Sequence, residues 1–153
     1  MSEKILLSAC LSGENCRYDG KKNDNFNLLN LLSQLDLEYI TVCPEVLGGL
    51  TVPRPSSQIK GGDGQDVLSG SAKVIDENGN DVTLNFLNGA NKVLEVAKKN
   101  NIKKAILNER SPSCGVEFIY KKEVPILGMG VTTALLTENG ITVISDEAFL
   151  KDN

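Results

Sequence analysis

Three apolar runs in this chain are short, nearly unbroken and soon followed by a cysteine, and this pattern limits the possible folds severely. Lys4–Ser8 leads into Cys10, Leu37–Val42 leads into Cys43, and Lys104–Leu107 precedes Cys114 by a few residues. A run without alternation suits a strand covered on both faces, which is a property of parallel sheets. Strand-like and helix-like segments alternate along the chain, as they do in α/β domains. The expectation is a single three-layer α/β domain over residues 1–153 with a mostly parallel, Rossmann-like sheet. In such a sheet the loops that follow the strands leave from one edge, and ligands bind there. Cys10, Cys43 and Cys114 then meet at one place, although 33 and 71 residues separate them in sequence.

The segments between the runs can be read in turn. Asn25 is placed to cap a helix with Leu28, Leu31, Leu32 and Leu35 at helical spacing. Residues 47–55 are crowded with glycine and proline and read as loop. Residues 61–80 read as a small irregular or hairpin excursion, with a strand over Ala72–Asp76 and an Asn78-Gly79 turn. Asp81 is read as the cap of the longest helix, in which Val82, Phe86, Ala90, Val93 and Ala97 form an apolar stripe. Gly128-Met129-Gly130 opens a helix over Val131–Leu136, and Thr132 and Thr133 at its start suggest an anion site. Ile141–Ile144 is the last strand, and Asp146 starts a terminal helical turn.

Composition removes whole classes of function. There is no histidine, so no Ser-His-Asp or Cys-His catalytic set and no two-histidine zinc site can form. Proton transfer falls to Glu, Asp, Lys, Tyr, Cys or a hydroxyl. The net charge of −4 argues against a nucleic-acid surface. No run approaches the roughly 20 apolar residues of a membrane span, and the N-terminus lacks a signal peptide's apolar core. The chain is expected in the cytoplasm, where thiols stay reduced. Thiolate chemistry or metal ligation is therefore expected of the cysteines, rather than disulfides.

Free cysteine often serves as a small buried hydrophobe. Three cysteines at matching topological positions, each in a polar or Gly/Pro-rich loop, point instead to a shared site. Thiolates favour zinc, copper(I) or iron–sulfur clusters. Structural zinc takes four ligands, usually from paired C-x₂₋₄-C knuckles, and none occurs here. Three cysteines around a cubane cluster leave one iron without a protein thiolate, and that iron can act as a Lewis acid. Cys16 lies six residues after Cys10, near enough to reach the site. It is a fourth ligand, a packed loop residue or a stray thiol, and the reading adopted is that it is not a ligand.

The motifs Ser8-Ala9-Cys10-Leu11, Cys16-Arg17-Tyr18-Asp19-Gly20, Cys43-Pro44-Glu45-Val46, Gly48-Gly49-Leu50, Pro53-Arg54-Pro55 and Ser111-Pro112-Ser113-Cys114-Gly115 occur in that order. Together they resemble the thiouracil desulfidase family, and the resemblance spans nearly the whole chain. It implies a [4Fe–4S] cluster on Cys10, Cys43 and Cys114, whose fourth iron takes the sulfur of a thiolated base such as 2-thiouracil. It also implies that Glu45 handles protons and that Ser111 holds or activates the substrate. Ser113 and Arg54 are read as further substrate contacts, with Arg54, fixed between two prolines, facing either a pyrimidine carbonyl or only a carboxylate. Conversion of C=S to C=O needs sulfur to leave as sulfide while water attacks carbon, with no net redox change. The partner expected is a small thiolated heterocycle. Other readings of the same residues are a pairing of Glu45 with Arg54 or Arg17, and a turn at Ser111. Rival functions are a cluster-free thiol redox or sulfur-transfer enzyme, and a sensor of thio-compounds or metals without turnover.

Overall fold

The computed structural model describes residues 3–14, 18–19, 25–122 and 124–153. In chain order, β1 (Glu3–Ser8) runs into a 3₁₀ turn at Ala9–Ser12, and α1 (Phe26–Gln34) leads to β2 (Leu37–Val42) and the short α2 (Pro44–Leu47). An outlying unit follows: β3 (Ser57–Lys60), α3 (Gly64–Ser69) and β4 (Lys73–Asp76). The long α4 (Thr83–Lys99) then leads to β5 (Lys104–Leu107), and β6 (Phe118–Lys121) pairs with β7 (Val124–Leu127) as a hairpin. The chain closes with α5 (Val131–Glu138), β8 (Thr142–Ser145) and α6 (Asp146–Asp152).

The main sheet has the order β2-β1-β5-β8, and all its pairings are parallel. The chain moves from β1 to β2 on one side and returns to place β5 on the other. The β1/β5 boundary is thus a switch point of the kind at which open α/β sheets bind ligands. Ser8 pairs with Val42 at the end of β1, so Cys10 and Cys43 leave neighbouring strands at the same level.

Alternation along the central strands supplies two cores. Leu6, Ala105 and Leu107 pack with Val93 and Ala97 of α4 and Leu136 of α5. Ile5, Leu7 and Ile106 pack on the other side with Leu28 and Leu32 of α1, joined by half-buried Phe149 and Leu150 of α6. Both faces of the sheet are covered, which is why these strands lack polar alternation. All five residues of the α4 stripe are buried, and the outer part of that stripe carries a third core. There Phe86 and Ala90 meet Ile59, Val67 and Val74 of the outlying unit.

The structure corrects the reading of residues 61–80. The excursion begins earlier, at β3, and is an antiparallel pair enclosing a helix. Asp63 caps that helix through Gln65 N–H at 3.0 Å, and Asp66 bonds back to Asp63 N–H at 2.9 Å. Asn25 caps α1 as expected, accepting from Leu28 N–H at 3.1 Å. Leu35 of the expected stripe ends that helix as an exposed residue. Asp81 acts from one position earlier than expected: α4 begins at Thr83, whose N–H donates to Asp81 Oδ1 at 2.9 Å.

Candidate active site

Each cysteine is placed by a different local device. Cys10 sits in the 3₁₀ turn that ends β1, closed by Gly13 with φ at 98°. Cys43 is the N-cap residue of α2, with Pro44 at the first helical position, where its missing N–H costs nothing. The glycines on α4 and α2 set how closely these helices approach: a Cβ at Gly89 would lie 2.0 Å from the Pro44 carbonyl oxygen, and one at Gly48 would lie 2.0 Å from that of Asn85. Asn85 Nδ2 donates to the Gly48 carbonyl at 2.8 Å and locks the contact. This fixes α2, and with it Glu45, at the mouth of the sheet.

Cys114 is held by its own loop and by α5. Its N–H donates to Ser111 Oγ at 2.9 Å, and its carbonyl accepts from Thr133 Oγ1 at 2.9 Å. The first N–H groups of α5 are spent on the same loop. Val131 donates to the Pro112 carbonyl at 2.8 Å, and Thr132 donates to that of Ser113 at 2.9 Å. The N–H groups that an anion at Gly128-Met129-Gly130 would need are therefore taken by the loop carbonyls. A Cβ at Gly130 would lie 2.4 Å from the Ser113 carbonyl and 2.8 Å from Cys114 N. Gly130→Ala is expected to cost about 1–3 kcal/mol by overpacking. Urea unfolding measures that loss.

Glu109 organises the rest of the loop, and the sequence reading missed it. Its carboxylate is buried and accepts the N–H groups of Val116 at 2.7 Å, Glu117 at 3.1 Å and Phe118 at 3.2 Å. These donors come from a chain that folds back on itself, so no local spacing announces them. Glu109→Ala leaves at least three backbone donors without this acceptor. It is expected to lower unfolding free energy by about 3 kcal/mol or more, read from the urea midpoint.

The three loops and α2 enclose a cavity of about 740 Å³ outside the carboxyl ends of β1, β2 and β5. All seven residues singled out in the sequence line it: Cys10, Cys43, Cys114, Glu45, Arg54, Ser111 and Ser113. Cys16 lies outside the described residues. Cys10, Cys43 and Cys114 form no disulfide. Among the described residues no three Cys, Asp or Glu side chains are grouped to hold a single metal ion. Three thiols lining one cavity are a soft donor set of the kind that fits an iron–sulfur cluster. Burial pushes the Cys114 thiol up to about 12, and the nearby Cys43 and Glu45 act in the same direction. Hydrogen bonds from the Ser8 and Ser113 hydroxyls oppose that rise. Without a cation this sulfur is a neutral thiol at pH 7; bound to a metal it is a thiolate.

Facing the thiols is a continuous polar chain. Arg54 Nε donates to Glu45 Oε1 at 3.1 Å, in a pair whose side chains are only 5% and 15% exposed. The guanidinium is also tied to the Thr51 carbonyl at 3.0 Å, and Arg54 N–H donates to the Tyr18 carbonyl at 2.7 Å. Ser113 Oγ donates to Glu45 Oε2 at 2.9 Å and lies 2.9 Å from Ser111 Oγ. The protons in this chain have one consistent arrangement. A carboxylate has none to give, so the Ser113 proton goes to Glu45, and the Ser111 proton then goes to Ser113 Oγ. Ser111 Oγ also accepts from Ser113 N–H at 3.0 Å and from Cys114 N–H. Its hydrogen-bonding capacity is thus filled by the turn it forms.

A parallel α/β sheet carries three thiols and a carboxylate–serine chain in one cavity at its switch point, and the comparisons with known proteins place the chain among the desulfidases. The family model described as 2-thiouracil desulfurase matches residues 5–148, and the chain belongs to that family. It is 43% identical to protein YbbK of Bacillus subtilis (strain 168) over 145 residues, which cover 93% of this chain and 95% of that protein. The solved structure of the [4Fe-4S]-dependent thiouracil desulfidase TudS superposes with a TM-score of 0.84 at 38% identity. That match covers 98% of this chain and 95% of TudS. Among the described residues no helix is long and apolar enough to cross a membrane.

Proposed function

We propose that residues 1–153 form one catalytic domain that holds a [4Fe–4S] cluster on Cys10, Cys43 and Cys114 and removes sulfur from a small thiolated pyrimidine such as 2-thiouracil. The observation that carries this reading is the arrival of three thiols from three separate loops in one cavity, opposite Glu45. When bound, a cluster with three protein thiolates supplies a Lewis-acidic iron with affinity for sulfur. The remaining work belongs to side chains of this chain. Glu45 takes the proton of the attacking water and returns it to the departing sulfide, which leaves as hydrogen sulfide while the ring gains only oxygen. Ser113, bonded to Glu45 Oε2, holds the carboxylate orientation on the side of Cys114. Arg54 holds the other oxygen and places a positive charge beside the ring that is losing sulfide. Ser111 acts through the turn and through Ser113. The cytoplasm suits such a site, because its thiols stay reduced there.

The cluster-free alternative needs a thiolate nucleophile. A Cys114 thiol pushed up to about 12 is almost wholly protonated at pH 7, which weighs against that role. The deciding experiment is anaerobic reconstitution followed by measurement of sulfide and uracil released from 2-thiouracil. Turnover that rises with bound iron, toward about four iron and four sulfide per chain, is expected. Full activity in colourless, iron-free protein would overturn the cluster. Stoichiometric binding of 2-thiouracil without sulfide release would make the protein a sensor.

A further inference from the structure

The motif Cys16-Arg17-Tyr18-Asp19-Gly20 brings Tyr18 to the wall of the cavity. Tyr18 is 44% exposed there. An aromatic residue left this open beside a cavity keeps apolar surface in water that a bound ring would cover. Its place is set through the backbone, since the Tyr18 carbonyl accepts from Arg54 N–H at 2.7 Å. Arg54 is in turn well fixed. It stands between Pro53 and Pro55, which restrict the chain on both sides. Its buried side chain is held by Glu45 Oε1 at 3.1 Å and by the Thr51 carbonyl at 3.0 Å. Tyr18 is thus tied through one residue to Glu45. Among the described residues, Tyr120 is the other aromatic residue on the cavity wall, and it is tied elsewhere. It lies on the β6–β7 hairpin, where its N–H donates to the Arg110 carbonyl at 2.9 Å.

We propose that Tyr18 is the residue on which the substrate ring stacks, so that its tie to Arg54 sets the plane of the heterocycle beside Glu45. The inference rests on the function proposed above. A pyrimidine carries its hydrogen-bonding atoms on its edge and has two apolar faces. Arg54, Glu45 and the serines are hydrogen-bonding groups and address the edge, whereas a face is met by an aromatic ring. Stacking is tolerant of the base, because every base has a π-face. Tyr18 therefore supplies affinity for the ring as such, and the edge contacts choose the reacting position. Substrate and product keep the same ring, so the contact holds both alike and belongs to uniform binding.

The test compares wild type, Tyr18→Ala, Tyr18→Phe and Tyr120→Ala after anaerobic reconstitution, at matched iron content. Equilibrium dialysis gives the dissociation constant of uracil, and sulfide release from 2-thiouracil gives KM and kcat. Tyr18→Ala is expected to weaken uracil binding and raise KM together, by about 5- to 150-fold, the range for losing one base–aromatic stack. Its kcat should stay close to wild type. Tyr18→Phe keeps the face and should bind as wild type does. Tyr18→Leu fills the space without a π-face and replaces the alanine variant if that does not fold. The inference is overturned if Tyr18→Ala binds uracil as tightly as wild type, or if Tyr120→Ala shows the larger loss. It is equally overturned if Tyr18→Phe loses as much as Tyr18→Ala, since the hydroxyl is then the required group. Wild type that releases no sulfide overturns the desulfidase reading instead, and the uracil constants still decide on Tyr18.

Discussion

Cys114→Ser protein, reconstituted and purified without oxygen, is expected to come out colourless, with iron and sulfide reduced to background. A serine hydroxyl is a hard, weakly acidic donor where a soft thiolate is required. Three of the hydroxyls around the position are engaged elsewhere. Ser111 Oγ holds two backbone N–H groups, Ser113 Oγ serves Glu45, and the Thr133 hydroxyl serves the Cys114 carbonyl. Cys10→Ser and Cys43→Ser are expected to behave alike, because each removes the sole sulfur that its loop delivers to the cavity among the described residues. Cys16→Ser is expected to keep the cluster. The fold should survive in all four variants, and thermal unfolding of the iron-free proteins checks this. Retention of a full cluster by Cys114→Ser would remove Cys114 from the ligand set, and loss of it in Cys16→Ser would remove the open coordination position.

The cysteine cluster is legible in sequence because its cause is topological and the topology has a sequence signature. Ile5-Leu6-Leu7 and Ala105-Ile106-Leu107 are apolar without alternation because both faces of the sheet are covered. Once those runs are taken as parallel strands, the residues that follow them share an edge. The α4 stripe is legible for a similar reason, since a seventeen-residue helix repeats its period often enough to be seen. What escapes is short or non-local. β3, β6 and β7 have four residues each, too few to display a period. β7 also contains Pro125, which reads as a breaker but is tolerated in a two-stranded hairpin. The capping box of α3 is hidden by Gly61, Gly62 and Gly64 around Asp63, which read as loop. Asn108 N–H donates to Ser8 Oγ across a hundred residues, so no spacing rule joins them. The Glu45–Arg54 pair was foreseen only as a competing role for the carboxylate. The geometry makes the two roles compatible, because Arg54 uses Oε1 while Oε2 accepts from Ser113.

Glu45→Gln is expected to keep the iron content of wild type while lowering the rate of sulfide release by about 10²–10⁴-fold, the range usual for loss of a general base. Glutamine preserves volume and can still hydrogen-bond to Ser113, so the cavity wall should stay in place. What it loses is the capacity to accept a proton at neutral pH. It also leaves the buried Arg54 guanidinium without its carboxylate, and removing one member of a buried ion pair costs about 3 kcal/mol or more. A fall in rate alone is therefore ambiguous, and Arg54→Gln separates the causes. If Glu45 serves only to fix the arginine, the two variants should lose the same activity and have the same pH profile. If Glu45 is the base, Arg54→Gln keeps a working carboxylate. Its rate should then still show the rising pH limb that a general base gives. Glu45→Gln should show no such limb at all. The limbs of the two profiles, measured on protein of matched iron content, decide between a proton-transfer residue and a structural anchor for Arg54.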